Sequence, residues 1–112
     1  MSAGIVRIVT DASFERDVLE RGRLTLVAFG APWCGPCGLM SSGLRALAAQ
    51  QSDRLIVAKL DVEANPATAD RYEVETYPTC ILFAAGAPVQ RLDGYMPLRK
   101  LEAALRSHLD AG

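Results

Sequence analysis

Two stretches of this chain, residues 24–29 (Leu-Thr-Leu-Val-Ala-Phe) and 80–83 (Cys-Ile-Leu-Phe), are apolar at nearly every position and not merely at alternate ones. A strand of that kind has no face to offer water, so it belongs inside a sheet covered on both sides. Residues 5–9, 55–60 and, more weakly, 89–92 have the length and β-branched content of further strands.

Helical patterns fill the intervals. Thr10 or Asp11 is placed to cap a helix carrying Phe14, Val18 and Leu19 on one face, and Met40, Leu44, Leu47 and Ala48 form a second apolar stripe. Asn65-Pro66 reads as a helix start, with Asn as cap and a proline where no N–H is needed, leading to a short helix through Tyr72. A last helix begins near Pro97 and repeats Leu98, Leu101, Leu105 and Leu109, while Ala85-Gly86-Ala87 marks a turn between the last two strands. The order predicts an α/β fold: a central mixed five-stranded sheet with four helices distributed over both faces.

At 112 residues the chain suits one domain, residues 1–112, large enough to bury a core without the staples that become usual below about 40 residues. Twelve Lys and Arg against thirteen Asp and Glu give a formal net charge of −1, scattered along the chain. That balance offers no footprint for nucleic acid or an anionic membrane. The N-terminus lacks a basic start followed by a long apolar run, and no later run reaches membrane-spanning length, so a soluble, cytoplasmic protein is expected.

The chemistry concentrates in the cysteines. Three are too few for a secreted disulfide framework, whereas Cys34 and Cys37, spaced Cys-x-x-Cys at a strand-to-helix junction, suit either redox chemistry or metal binding. Zinc sites usually bring a second close ligand pair, and Cys80 and His108 do not form one, so no metal is expected. Positions i and i+3 on a helix lie roughly 5–6 Å apart, within the Cα separation a disulfide accepts. At the helix N-terminus, free N–H groups and the dipole favour the Cys34 thiolate, making it the better nucleophile, with Cys37 closing the bond to release substrate. Pro36 fits the first turn, Gly35 leaves the Cys34 sulfur open, and Trp33 supplies an apolar wall.

Trp33-Cys34-Gly35-Pro36-Cys37 resembles the active-site sequence of the thioredoxin family, and the likeness continues through residues 57–62, Asn65-Pro66, Tyr77-Pro78-Thr79 and Gly94. The resemblance implies the thioredoxin fold and a monomeric protein-disulfide reductase that maintains cytosolic redox balance through a redox-active Cys34–Cys37 disulfide, with no bound cofactor. It implies disulfide-containing proteins as substrates and an NADPH-dependent flavoprotein thioredoxin reductase as partner. It also implies a cis bond at Pro78, with the Tyr77 backbone and Gly94 flanking an extended substrate segment, and places Lys59 among the supporting residues.

Four positions depart from the family pattern. Ala28 stands where relatives usually carry a buried acid near the second cysteine, Gly30 where many have an aromatic, Gly38 in place of a basic residue, and Ser42 in place of a helix-kinking proline. Ala28 predicts slower resolution by Cys37 than the family's, and the other three a smaller, less positive rim and a straighter helix. Lys59, inside an apolar run, must be paired, neutral or reach water; Asp61 is a candidate partner, and a snorkelling lysine the plainer reading. The alternative function is a specialised oxidase, isomerase or partner-binding module with weakened reductase activity. Cys80 reads as a small core hydrophobe, and His108 as a helix-end residue matched to the dipole.

Overall fold

The computed structural model describes residues 4–111. Its strands are β1 (Val6–Ile8), β2 (Thr25–Gly30), β3 (Ile56–Asp61), β4 (Thr79–Ala84) and β5 (Ala87–Asp93), and its α-helices α1 (Gly35–Gln50), α2 (Pro66–Arg71) and α3 (Leu98–Ala111). The two apolar runs become β2 and β4, antiparallel neighbours in a sheet ordered β1-β3-β2-β4-β5. Each is buried from its first residue to its fifth, as double coverage requires. β1 and β2 run parallel to β3, and β5 antiparallel to β4, so the sheet is mixed as expected.

Alternate residues of the central strands feed two separate cores. Val27, Phe29, Ile81 and Phe83 meet Phe14, Val18 and Ala69 on one side, where Phe14, Tyr72 and Phe83 contact one another with ring centroids 5.1–5.7 Å apart. Leu26, Ala28, Cys80 and Leu82 meet the expected stripes of α1 and α3 on the other: Met40, Leu44 and Leu47, and Leu101, Leu105 and Leu109. Burying each large aliphatic or aromatic side chain contributes about 1.5–3 kcal/mol, so this two-sided core is the main source of stability.

The fourth expected helix is a single π-helical turn over Glu15–Leu19, closed by Glu20 N–H donating to the Glu15 carbonyl at 2.8 Å. Thr10 and Ser13 exchange side-chain-to-backbone hydrogen bonds at 2.9 and 3.1 Å and close a turn before it, while Phe14 and Val18 still face the core. Asp11 does not cap this turn. Its carboxylate accepts from Ala67 N–H at 3.1 Å, Thr68 N–H at 2.9 Å and the Thr68 hydroxyl at 2.6 Å, so it caps α2 from more than fifty residues away. Asn65 does not cap α2 with its side chain; instead its Oδ1 accepts from Asp11 N–H at 2.9 Å, and the two residues lock the loops together.

β5 is longer than the sequence pattern suggests because it is an edge strand whose outer face meets solvent, which blurs its periodicity. An irregular register beside Leu82 and Phe83 accommodates Pro88, a residue tolerated at an edge because its missing N–H breaks no ladder. The two-residue turn from β4 to β5 holds Ala85 at φ +52° and Gly86 at φ +80°. A side chain on Gly86 would stand 2.8 Å from the Leu19 carbonyl oxygen, so glycine is required there on two counts.

Burial pushes the Asp11 carboxyl up, but the bonds from Thr68 and Ala67 outweigh it and hold it below its ordinary 3.8. The contribution of a carboxylate depressed in this way is complete above its unfolded pKa and lost as pH falls through the folded one. Asp11→Ala is therefore expected to cost about 1 kcal/mol at neutral pH, with the gap from the parent closing below pH 3.8, as followed by urea unfolding across a pH series. Ala85 sits in the left-handed region, which asparagine tolerates better than alanine because its short polar side chain hydrogen-bonds locally, so Ala85→Asn should stabilise by about 0.5–1 kcal/mol in the same assay. An unchanged urea midpoint would contradict that reading of the turn.

Candidate active site

The chain leaves the centre of the sheet at Gly30, turns through Ala31 and Pro32, and enters α1 at Cys34. Cys34 is the helix N-cap, with φ −84° and ψ 108°, and its Sγ accepts from Cys37 N–H at 3.2 Å. The cap role usually filled by Ser or Asp falls here to a sulfur. As a thiolate, that sulfur would sit on a free N–H at the positive end of a sixteen-residue helix, the setting that lowers a thiol pKa. Pro36 occupies the first turn, where its lack of an N–H removes no hydrogen bond.

Cys34 and Cys37 are joined as a disulfide with their Cα atoms 5.3 Å apart. Their exposure differs from the sequence expectation. Gly35 is open, with nothing near the position of a side chain, yet Cys34 is only 7 % exposed while Cys37 is half-buried. The bridge therefore presents Cys37 as well as Cys34 to its surroundings. A Cβ on Gly30 would stand 2.9 Å from Cys37 Sγ, so the glycine at the end of β2 lets the backbone close directly on the second sulfur.

Trp33 is 64 % exposed and leans its ring edge-on against Tyr77, centroids 5.9 Å apart. Its indole N–H donates to the Glu63 carboxylate. Sequence reasoning missed Glu63, since only the loop after β3 carries it to a tryptophan thirty residues earlier. The Tyr77–Pro78 bond is cis, the geometry the resemblance implied, and Pro78 borders the cysteine pair. Gly94 N–H donates to the Pro78 carbonyl at 2.8 Å; its φ of +90° demands glycine, and nothing lies within 4 Å of the place a side chain would take. Trp33, Tyr77, Pro78 and Gly94 are thus connected around the disulfide by direct contacts.

Ala28 is buried beside Lys59 on the neighbouring strand and Cys80 on the other. Lys59 is exposed and makes no ion pair with a described residue; Asp61 instead accepts Glu63 N–H at 2.9 Å. The snorkelling arrangement holds, and the Lys59–Asp61 pair does not form. Gly38 is exposed at the rim, and α1 runs without interruption through Ser42. Cys80 is fully buried, and burial pushes its thiol up to about 12, leaving it neutral and inert within the core. His108 lies in the last turn of α3. Among the described residues no three His, Cys, Asp or Glu side chains converge on a metal-sized site, and no helix is long and apolar enough to cross a membrane.

The sequence model of the Thioredoxin family matches residues 5–107. A thioredoxin of Mycolicibacterium smegmatis is 51% identical over 88 residues, covering 77% of this chain and 79% of that protein. One from Staphylococcus aureus strain Mu50 is 45% identical over 101 residues, covering 90% and 95%. The "Bifunctional thioredoxin reductase/thioredoxin" of Mycobacterium leprae is 47% identical over 93 residues, which cover 83% of this chain but 20% of that protein. With this family match and its cysteine pair at the start of the helix that follows the central strand, the chain belongs to the thioredoxin family.

Proposed function

We propose that this protein reduces disulfides in other proteins by dithiol–disulfide exchange at Cys34 and Cys37. The observation that carries the reading is the bonded pair at the N-terminus of α1, with Cys34 Sγ already accepting from Cys37 N–H. In the reduced protein the Cys34 thiolate attacks one sulfur of a substrate disulfide. A mixed disulfide forms and the first substrate thiolate departs. Cys37 then attacks Cys34 Sγ, the second substrate thiolate leaves, and the protein is left oxidised with the bridge restored.

The neighbours fit an extended substrate segment. Trp33 and Tyr77 supply apolar surface on one side of the pair, Pro78 borders it, and Gly94 keeps the far side free of a side chain. Backbone groups near Tyr77 would pair with the segment as an added strand. Gly35 and Pro36 shape the first helical turn, and Lys59 serves as a nearby cation. The site works without a bound cofactor, its redox group being the disulfide itself.

Electrons are supplied by a thioredoxin reductase, an NADPH-dependent flavoprotein; the name of the Mycobacterium leprae relative joins a reductase and a thioredoxin in one chain. The protein acts as a monomeric single domain, residues 1–112, in the cytoplasm. The specialised oxidase, isomerase or binding-module reading is not favoured, because both cysteines are retained in bonding geometry and the named relatives are thioredoxins.

Insulin-disulfide reduction driven by dithiothreitol tests the assignment. Cys34→Ser should lower the rate by at least about a hundredfold, the scale expected when the nucleophile of an exchange reaction is lost. Cys37→Ser should trap a Cys34 mixed disulfide visible by mass spectrometry. Unimpaired turnover by Cys34→Ser would overturn the assignment.

A further inference from the structure

A pocket of about 340 Å³ opens between the end of β2, the start of α1 and β3, and it reaches both cysteines. Gly30 and Ala28 are two residues apart on one face of β2, so together they remove the side chains that would separate this strand from Cys37. Ile8, Met40 and Leu44 add apolar lining. Apart from the cysteines, the titratable groups on the wall are Lys59 and Asp61. Asp61 is turned onto Glu63 N–H, whereas Lys59 is free of ion pairs with described residues. An apolar cleft with one uncommitted cation and a half-buried cysteine matches a short-chain monocarboxylate, its alkyl end against the apolar lining and its anion between Lys59 and Cys37.

We propose that this pocket binds a small carboxylate anion and that the bound carboxylate accepts the Cys37 proton during resolution. The proposal rests on the exchange mechanism above. In the mixed disulfide, the Cys37 thiol gives its proton to the carboxylate and becomes a thiolate. That thiolate forms the bond to Cys34 Sγ as the bond from Cys34 to the substrate sulfur breaks. The electron pair leaves with the substrate thiolate, which takes up the proton from the carboxylic acid directly or through water. No net oxidant or reductant is added, and the anion is regenerated.

The two steps separate when reduced protein reacts with 4,4′-dithiodipyridine, an uncharged disulfide that releases one thiopyridone on attack and a second on resolution. At fixed pH and ionic strength, raising acetate to about 0.2 M should leave the first phase unchanged and accelerate the second at least about threefold, with saturation, as a positioned general base does. Lys59→Gln should remove most of that acceleration. Ala28→Asp, which builds a carboxylate into the wall, should resolve faster without acetate and ignore it. If Ala28→Asp does not fold, Lys59→Gln carries the comparison. Acetate titration of the oxidised protein should also shift the amide resonances of Gly30, Gly38 and Lys59, a readout independent of turnover.

A second phase flat in acetate, an equal acceleration in Lys59→Gln, or unmoved amides would each overturn the proposal. So would a collapse of resolution in Asp61→Asn that acetate does not restore, since Asp61 would then be the base. Loss of both kinetic phases would instead overturn the exchange mechanism, and the proposal with it.

Discussion

The double burial of β2 and β4 is the constraint from which the position of the chemistry follows. Because both strands are covered on two faces, α1 has to return across the sheet with Met40, Leu44 and Leu47 turned inward. That packing fixes where its N-terminus begins, just beyond the end of β2. The antiparallel register then pairs Phe29 with Thr79, so the beginning of β4 lies beside the end of β2 and brings Pro78 to the same edge as Gly30. Parallel pairing to β3 carries Asp61 to Gly30 as well. Residues distant in sequence meet at this edge because the hydrophobic core leaves them nowhere else to be.

At that edge one sulfur has both a structural and a chemical assignment. A helix start needs an acceptor for its free N–H groups, and Cys34 provides it through the bond from Cys37 N–H. An anion satisfies that need better than a neutral thiol, so the stability of the helix start and the reactivity of the nucleophile point the same way. The cap of α2 follows the same physics with an ordinary carboxylate: Asp11 collects three donors, and its pKa falls below the usual value in spite of burial. The difference is that Asp11 is committed to its helix, whereas the Cys34 sulfur can exchange partners.

Much of this was legible locally. The apolar runs of β2 and β4, the stripes of α1 and α3, and the Cys-x-x-Cys spacing are written within a few residues, and local periodicity is what a sequence displays best. What escaped was set by contacts across the chain. Asn65 looks like the cap of α2, but the cap is Asp11. Trp33 looks like an isolated wall, but Glu63 holds its indole. The first helix reduces to a π turn, and β5 hides its length in an exposed, irregular edge. The exposure of Cys37 relative to Cys34 also depends on Gly30, whose meaning appears only when its Cβ position is set against the sulfur.

Two of the four departures from the family pattern, Ala28 and Gly30, share one face of β2. Phe29, between Ala28 and Gly30, points into the opposite core and stays fully buried, so shortening its two neighbours leaves that core intact. The change is confined to the α1 side, where it lines a cleft beside Cys37 and leaves Lys59 with no buried acid to face. A lysine in that position does not need a buried partner, because its stem can lie along the apolar strand while its end reaches water. Lys59 is exposed next to Ala28 in the register, and a side chain on Gly30 would collide with the Cys37 sulfur. On the proposal made above, proton movement at the second sulfur depends on what occupies that cleft, whose lining does not include Trp33 or Tyr77.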